Sequence, residues 1–286
     1  MYAVTGATGQ LGRLTIEALL RTVPADRIVA VVRTPAKAAD LAARGVIVRE
    51  GDYDRPETLN SAFAGVERLL LISSSEVGRR TAQHRSAIDA AAAAGVSLIA
   101  YTSVLHADDS TLGLAPEHRA TEVLLRDGTV PFVLLRNGWY HENYLAGLAP
   151  AIEHGAVLGS ARDGRIASAS RADYADAAAA ALTAADPAGK VYELAGDDAY
   201  TLTELAATIA QAAGKPVVYR DLPEADYAAI LEGAGLPAPV ASMIAESDAK
   251  AADGALFDDG RDLSALIGRP TTPIAVSVRE AVARLG

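Results

Sequence analysis

The sequence predicts an α/β fold: a doubly wound parallel sheet joined to a smaller, mostly helical C-terminal domain. Three observations carry that expectation. Short apolar runs alternate with segments of helical periodicity from residue 1 to about 135. The apolar runs are continuous rather than alternating, as strands covered on both faces must be. A glycine-rich turn joins the first run to the first helix.

Taken in order, residues 1–5 (MYAVT) are the first expected strand, and Gly6 ends it. Residues 11–20 place Leu11, Leu14, Ala18 and Leu19 on one helical stripe. Residues 28–32 (IVAVV) form a second strand, 46–48 a short third, and 68–72 (RLLLI) a fourth. Residues 83–94 are Ala-rich and helical, stopped by Gly95. Residues 98–101 (LIAY) form the fifth strand. A helix over 116–126 opens on Pro116, where proline is tolerated, and 132–135 (FVLL) is the sixth strand. After residue 136 the texture changes. Residues 137–144 are polar and aromatic, 173–185 are an Ala-rich helix, and 191–195 (VYELA) are a strand expected to return to the main sheet. Helices are expected over 202–213, 224–233, 239–251 and 277–285, with an isolated strand at 217–219. The expected division is a nucleotide-binding domain over 1–136, to which residues near 165–196 return, and a smaller cap domain over 137–286.

Composition narrows the function. Of 286 residues, 50% are hydrophobic and 22% charged, as in soluble globular proteins. The absence of cysteine removes disulfides, thiolate metal sites and cysteine nucleophiles. The net charge of −10 lacks the basic footprint of a nucleic-acid binder. No apolar run reaches the ~20 residues that span a bilayer, and no secretory leader is recognisable, so a cytoplasmic protein without stable membrane insertion is expected. Phe257-Asp258-Asp259 carries a carboxylate pair but no histidine cluster, so no metal is expected.

The segment Gly6-Ala7-Thr8-Gly9-Gln10-Leu11-Gly12 has the form GxxGxxG between a strand and a helix. A helix N-terminus offers unpaired N–H donors and partial positive charge to a pyrophosphate. Gly6 permits the turn, Gly9 removes a Cβ that would block the phosphates, and Gly12 lets the helix sit close. This is a Rossmann-type dinucleotide fingerprint in its proper context. At the end of the second strand, NAD readers place a carboxylate for the ribose 2′-hydroxyl. This chain places Arg33 there, with Thr34 next and Lys37 nearby. A guanidinium favours a 2′-phosphate, so NADPH is the expected cofactor. The other reading of Arg33 is a solvated strand end. No second nucleotide signature is present, so no flavin is implied.

The form TGxxGxxG at residues 5–12 resembles extended and atypical short-chain dehydrogenases. Typical members carry a Tyr-x-x-x-Lys pair on the helix after the fifth strand. Here that spacing holds His118 and Glu122, and no lysine lies between Lys37 and Lys190. Without the pair, reduction of a ketone to an alkoxide lacks its acid. Hydride addition to a quinone yields a phenol-like anion, near pKa ~10, which water or a neutral donor can protonate. His118 and Glu122 read as an i,i+4 surface pair, with a proton-donor role for His118 as the other reading. The sequence names no catalytic residue.

Several longer strings carry a closer resemblance: TGATGQLG (5–12), LLISSSEVG (70–78), IAYTS (99–103), LRNGWYHENY (135–144), ASRADY (169–174), VYELAG (191–196) and FDD (257–259). They resemble the NAD(P)H:quinone oxidoreductase type 2 family, of the NmrA-like, atypical short-chain dehydrogenase group. The resemblance implies a Rossmann NADPH domain, a smaller C-terminal domain and a quinone bound near the nicotinamide. Carried over by position, it points to Gly6 through Leu11 for the pyrophosphate and Arg33 for the 2′-phosphate. It points to Ser73, Ser74 and Ser75 beside the cofactor. Asn137, Gly138, Trp139, Tyr140, His141, Glu142 and Arg171 would complete the cofactor cleft.

These strings also have a reading of their own. Ser73–Ser75 end an apolar strand, where hydroxyls can meet ribose and phosphate or can cap a following helix. The only Trp and two of the ten Tyr fall within 137–144. Tyr140 and Asn143 fit a planar quinone by stacking and amide donation, and an aromatic packing corner is the other reading. Arg171 opens a helix and could meet the cofactor or pair with Asp173 or Asp176; His106 reads as structural. The expected function is NADPH-dependent quinone reduction by direct hydride transfer. The alternative is an NmrA-like NADP(H)-binding redox sensor without catalysis, and a third is reduction of enones or imines.

Overall fold

The computed structural model describes residues 1–285. In chain order its first elements are β1 (Tyr2–Val4), α1 (Gln10–Leu19), β2 (Ile28–Val32), α2 (Ala39–Ala43), β3 (Ile47–Glu50), α3 (Pro56–Ala62), β4 (Arg68–Leu71), α4 (Arg80–Ala93), β5 (Leu98–Val104), α5 (Ala115–Asp127) and β6 (Phe132–Asn137). There follow α6 (His141–Leu145), α7 (Leu148–His154), β7 (Ala156–Gly159), α8 (Arg171–Thr183), β8 (Val191–Leu194), α9 (Leu202–Ala213), β9 (Val218–Asp221), α10 (Glu224–Gly233), α11 (Ala238–Ala251), α12 (Asp262–Ile267) and α13 (Ile274–Ala283).

Seven strands form one sheet in the order β3-β2-β1-β4-β5-β6-β8. The pairings from β3 across to β6 are parallel. β8 joins β6, where Leu134 N donates to Lys190 O at 3.0 Å. The chain winds outward from β1 in one direction and from β4 in the other, so the order reverses between these two strands. Ligands of open α/β sheets bind at that point, beyond the carboxyl ends. β2 and β5 are buried along their whole length, which accounts for the unbroken apolar runs IVAVV and LIAY within them.

The chain divides into two compact units, one of Met1–Ala107, Pro116–Asn137 and Arg171–Tyr192, the other of Asp108–Ala115, Gly138–Ser170 and Glu193–Gly286. In the first, α1 packs on α8. Its core includes Val29, Val31, Phe63, Leu69, Leu71, Ile99, Tyr101 and Leu134. In the second, α10 packs on α11 and α9 on α13. The capping box of Thr201 and Glu204 starts α9.

Residues 217–219 are not an isolated strand: β9 pairs in parallel with β7, from Ala156 against Val218 to Gly159 against Asp221. A lone strand would leave its backbone groups unpaired, and β7 satisfies them. Helix α3 and the short α2, α6, α7 and α12 add to the expected elements. β5 and β6 run further than their apolar cores, so Thr102, Ser103, Arg136 and Asn137 are strand residues. Among the described residues, no helix is long and apolar enough to cross a membrane.

Candidate cofactor-binding site

The turn after β1 is built by its glycines. Gly6 adopts φ +58°, a left-handed conformation that suits glycine. Gly9 N–H donates to Gly6 O at 2.8 Å, closing the turn. A Cβ on Gly12 would lie 2.4 Å from Gly6 O and 2.8 Å from Ala7 Cα, so the first turn of α1 rests directly on the loop. Gly9 is the extended N-cap, and among the described residues no side chain caps it. The first N–H groups of α1 are thereby left without a side-chain cap.

Thr5, just before the loop, ties three strand ends together. Its Oγ1 donates to Leu70 O at 3.1 Å and accepts from Ile72 N at 2.9 Å and from Tyr53 Oη at 2.6 Å. Tyr53 follows β3, and burial pushes its phenol pKa up, so it remains a neutral donor.

Ser73, Ser74 and Ser75 follow β4, the neighbour of β1. The helix-cap reading fails, because α4 starts only at Arg80, with Arg79 at its N-cap. The loop is anchored instead. Ser73 N donates to Thr102 Oγ1 at 2.8 Å and Ser74 N to His84 Nε2 at 2.9 Å, while Arg80 Nε donates to Ser74 O at 2.7 Å. Because Nε2 of His84 accepts, its proton sits on Nδ1, which meets Thr121 Oγ1 at 2.9 Å. Burial, reinforced by the Arg80 charge, lowers the His84 pKa to about 3, which keeps the ring neutral and this tautomer in place. At the far end of the loop, Gly78 N donates to Glu117 Oε2 at 3.0 Å.

Arg33, at the end of β2, has its side chain 72% exposed and donates to Glu76 Oε1 at 3.4 Å. Glu76 Oε2 accepts from Arg79 at 3.3 Å and from Gln83 Nε2 at 3.1 Å. The glycine loop, Arg33 and the serines thus stand at the ends of three adjacent strands. Glu76, Arg79 and Tyr53 were not singled out from sequence. Glu76 lies within the quoted string LLISSSEVG, but only the fold places its carboxylate against Arg33.

The helix α5 corrects one expectation. His118 and Glu122 are not a surface pair: their residues are 5% and 0% exposed. Glu122 accepts from Arg136 through Nε (3.0 Å) and Nη2 (2.7 Å), from Ser103 Oγ (2.6 Å) and from Arg126 (2.9 Å). The buried guanidinium of Arg136 draws the carboxylate inward. His118 Nδ1 meets the hydroxyl of the buried Tyr101 at 2.8 Å. Burial, with the charge of Arg80 beside it, holds the His118 pKa well below its ordinary range, so the ring is neutral and is no imidazolium acid.

Asn137 ends β6 in the first unit, and Arg171 opens α8 there, half-buried. The remaining positions, Gly138 through Asn143, belong to the second unit. Gly138 N donates to Leu194 O at 2.8 Å, Ala169 N to Trp139 O at 3.1 Å, and His141 N to Ala169 O at 2.9 Å. The His141 ring is buried. Its Nε2 lies 3.1 Å from Ser168 O, which can only accept, so Nδ1 accepts from Ser277 Oγ at 2.9 Å. His141 thus fixes the start of α6, and Tyr144 fixes its end by donating to Asp248 Oδ1 at 2.8 Å. Ser160 N donates to Asp248 Oδ2 at 2.8 Å. Burial raises the Asp248 pKa to about 6 despite those bonds. Tyr140, Glu142 and Asn143 remain half-exposed on this clamped segment. His106 has φ +53° in the loop after β5. Among the described residues, no three His, Asp or Glu side chains are grouped to hold a metal ion.

A family model described as NAD(P)H-binding matches residues 6–185. Quinone oxidoreductase 2 of Escherichia coli is 60% identical over 278 residues, covering 97% of each chain. The crystal structure of an Escherichia coli NADPH-dependent quinone oxidoreductase complexed with NADPH has a TM-score of 0.95 at 59% identity, covering 98% of this chain and 99% of that one. A Citrobacter triphenylmethane reductase complexed with NADP(H) has a TM-score of 0.95 at 39% identity, covering 98% and 100%.

Proposed function

The chain belongs to the NAD(P)H-binding family, within the quinone oxidoreductase type 2 group, and from that premise we propose how it works as an NADPH-dependent quinone oxidoreductase. The observation that carries the proposal is the pairing of an uncapped helix N-terminus, backed by Gly6, Gly9 and Gly12, with an exposed guanidinium at Arg33. The glycines fit a pyrophosphate site: Gly6 turns the chain at φ +58° and Gly12 lets α1 start directly against the loop. Ala7 through Leu11 would hold the pyrophosphate through backbone N–H groups. Arg33 would hold the 2′-phosphate, and Ser73–Ser75 the ribose side. Asn137, Gly138, Trp139, Glu142 and Arg171 would border the cofactor. His141 would contribute by fixing α6, since its ring nitrogens are already engaged. When bound, the cofactor supplies a hydride to the quinone.

The residues of the chain then have a modest task. Quinone reduction takes up one hydride and one proton, and the phenol-like product needs no strong acid, which matches an α5 whose Glu122 is locked in an ion pair. Tyr140 and Asn143 would orient the quinone by stacking and amide donation, which is mainly proximity. The cysteine-free composition suits a reducing setting, and a cytoplasmic location is part of this proposal. Mixing the protein with NADPH and 1,4-benzoquinone tests it: loss of nicotinamide absorbance dependent on both is expected. Tight NADPH binding without turnover would instead support a sensor.

A further inference from the structure

We propose that Arg33 and Arg79 together form a clamp for the 2′-phosphate of the cofactor, and that Glu76 fills this clamp as a resident carboxylate until the phosphate displaces it. The inference rests on Arg33 as the 2′-phosphate reader and adds two residues to it.

Two guanidiniums converge on one carboxylate from opposite oxygens. Arg33 reaches Oε1 at 3.4 Å and Arg79 reaches Oε2 at 3.3 Å. Their side chains are 72% and 61% exposed, so neither pair is strong and both can exchange. The backbone around Glu76 is held by Ser73, Ser74 and Gly78, as described above, so the Glu76 side chain can turn away while the loop stays in place. Arg79 also keeps its hold on Asp54, at 2.8 Å, which positions its guanidinium when Glu76 leaves. Gln83 Nε2 likewise has Asp54 Oδ1 at 3.2 Å besides Glu76.

The exchange is favourable because a phosphate dianion replaces a carboxylate monoanion between the same two cations. NADH brings no such group, so Glu76 stays between the two arginines. After displacement, Glu76 remains close enough to repel the phosphate. It therefore lowers NADPH affinity below what the two arginines alone would give, and is a specificity-determining residue by opposition.

Calorimetry on the full chain with adenosine 2′,5′-bisphosphate and with 5′-AMP isolates the phosphate. Arg79→Ala is expected to weaken the bisphosphate about tenfold, with AMP held within about twofold. Arg79→Lys, which keeps the charge but not the fork, falls between. Glu76→Gln is expected to tighten the bisphosphate about threefold and leave AMP unmoved. Equal changes for both probes in Arg79→Ala, or no gain in Glu76→Gln, would overturn the clamp. Arg33→Ala separates the two levels. If it weakens the bisphosphate while Arg79→Ala does not, only the clamp fails; if it has no effect, the cofactor reading itself fails.

Discussion

Glu122 and Arg136 lie side by side in the interior of the first unit, joined by two hydrogen bonds of 3.0 and 2.7 Å. Glu122 holds the position that the lysine of the Tyr-x-x-x-Lys pair takes in typical short-chain dehydrogenases. The helix position is thus turned from chemistry to architecture. Glu122→Ala would take from the buried Arg136 the carboxylate that accepts its 3.0 and 2.7 Å bonds, a loss of about 3–5 kcal/mol. For a chain of this size the melting temperature should fall by about 10 °C. Calorimetric unfolding checks this. The double variant Glu122→Met with Arg136→Met should lose much less than the single one.

The glycine turn gives a graded expectation. Gly12→Ala drives a Cβ into Gly6 O, whereas a Cβ on Gly6 would make only ordinary contact with Ile72, 3.8 Å away, at φ +58°. The second substitution should cost about 1–2 kcal/mol of stability from the left-handed backbone alone. Gly12→Ala should displace the loop from α1 and weaken NADPH binding by about tenfold or more, read by fluorescence titration.

Asp248 makes stability depend on pH. Its pKa is raised from 3.8 to about 6, so the folded state favours the protonated carboxyl. The stabilisation is present below the ordinary carboxylate value and is lost as pH rises through about 6. It amounts to about 2–3 kcal/mol. Asp248→Asn, which cannot titrate, should flatten the dependence of denaturation midpoint on pH across that window.

In the proposed function, Tyr140 and Asn143 on the segment after β6 act on the quinone. Tyr140→Ala or Asn143→Ala should bind NADPH as the parent does but lose about tenfold or more in kcat/KM for the quinone. Steady-state kinetics at saturating NADPH decide it. Unchanged kcat/KM would remove both residues from the substrate site.

Much of this was legible in the sequence because the first unit obeys simple periodicities. Runs such as IVAVV and LIAY are buried on both faces, and GATGQLG bends where its glycines permit. The short helices α2, α3, α6, α7 and α12 were not, since pieces this short owe their existence to packing rather than propensity. Likewise the four-residue β7 was not legible, and without it β9 read as an isolated strand. The burial of Glu122 had a signal that spacing alone missed. Arg136 follows the apolar run FVLL within the strand FVLLRN, and a buried guanidinium there needs an acid partner. The i,i+4 rule for surface pairs drew attention to His118, whereas the partner lay across the fold.

The most direct test of the central claim compares kcat/KM for NADPH and NADH in benzoquinone reduction, in the parent chain and in Arg33→Ala. NADPH should be the better donor for the parent, and Arg33→Ala should reduce that preference by about tenfold or more while sparing NADH. Equal loss with both donors, or an unaltered preference, would contradict a guanidinium at position 33 reading the 2′-phosphate.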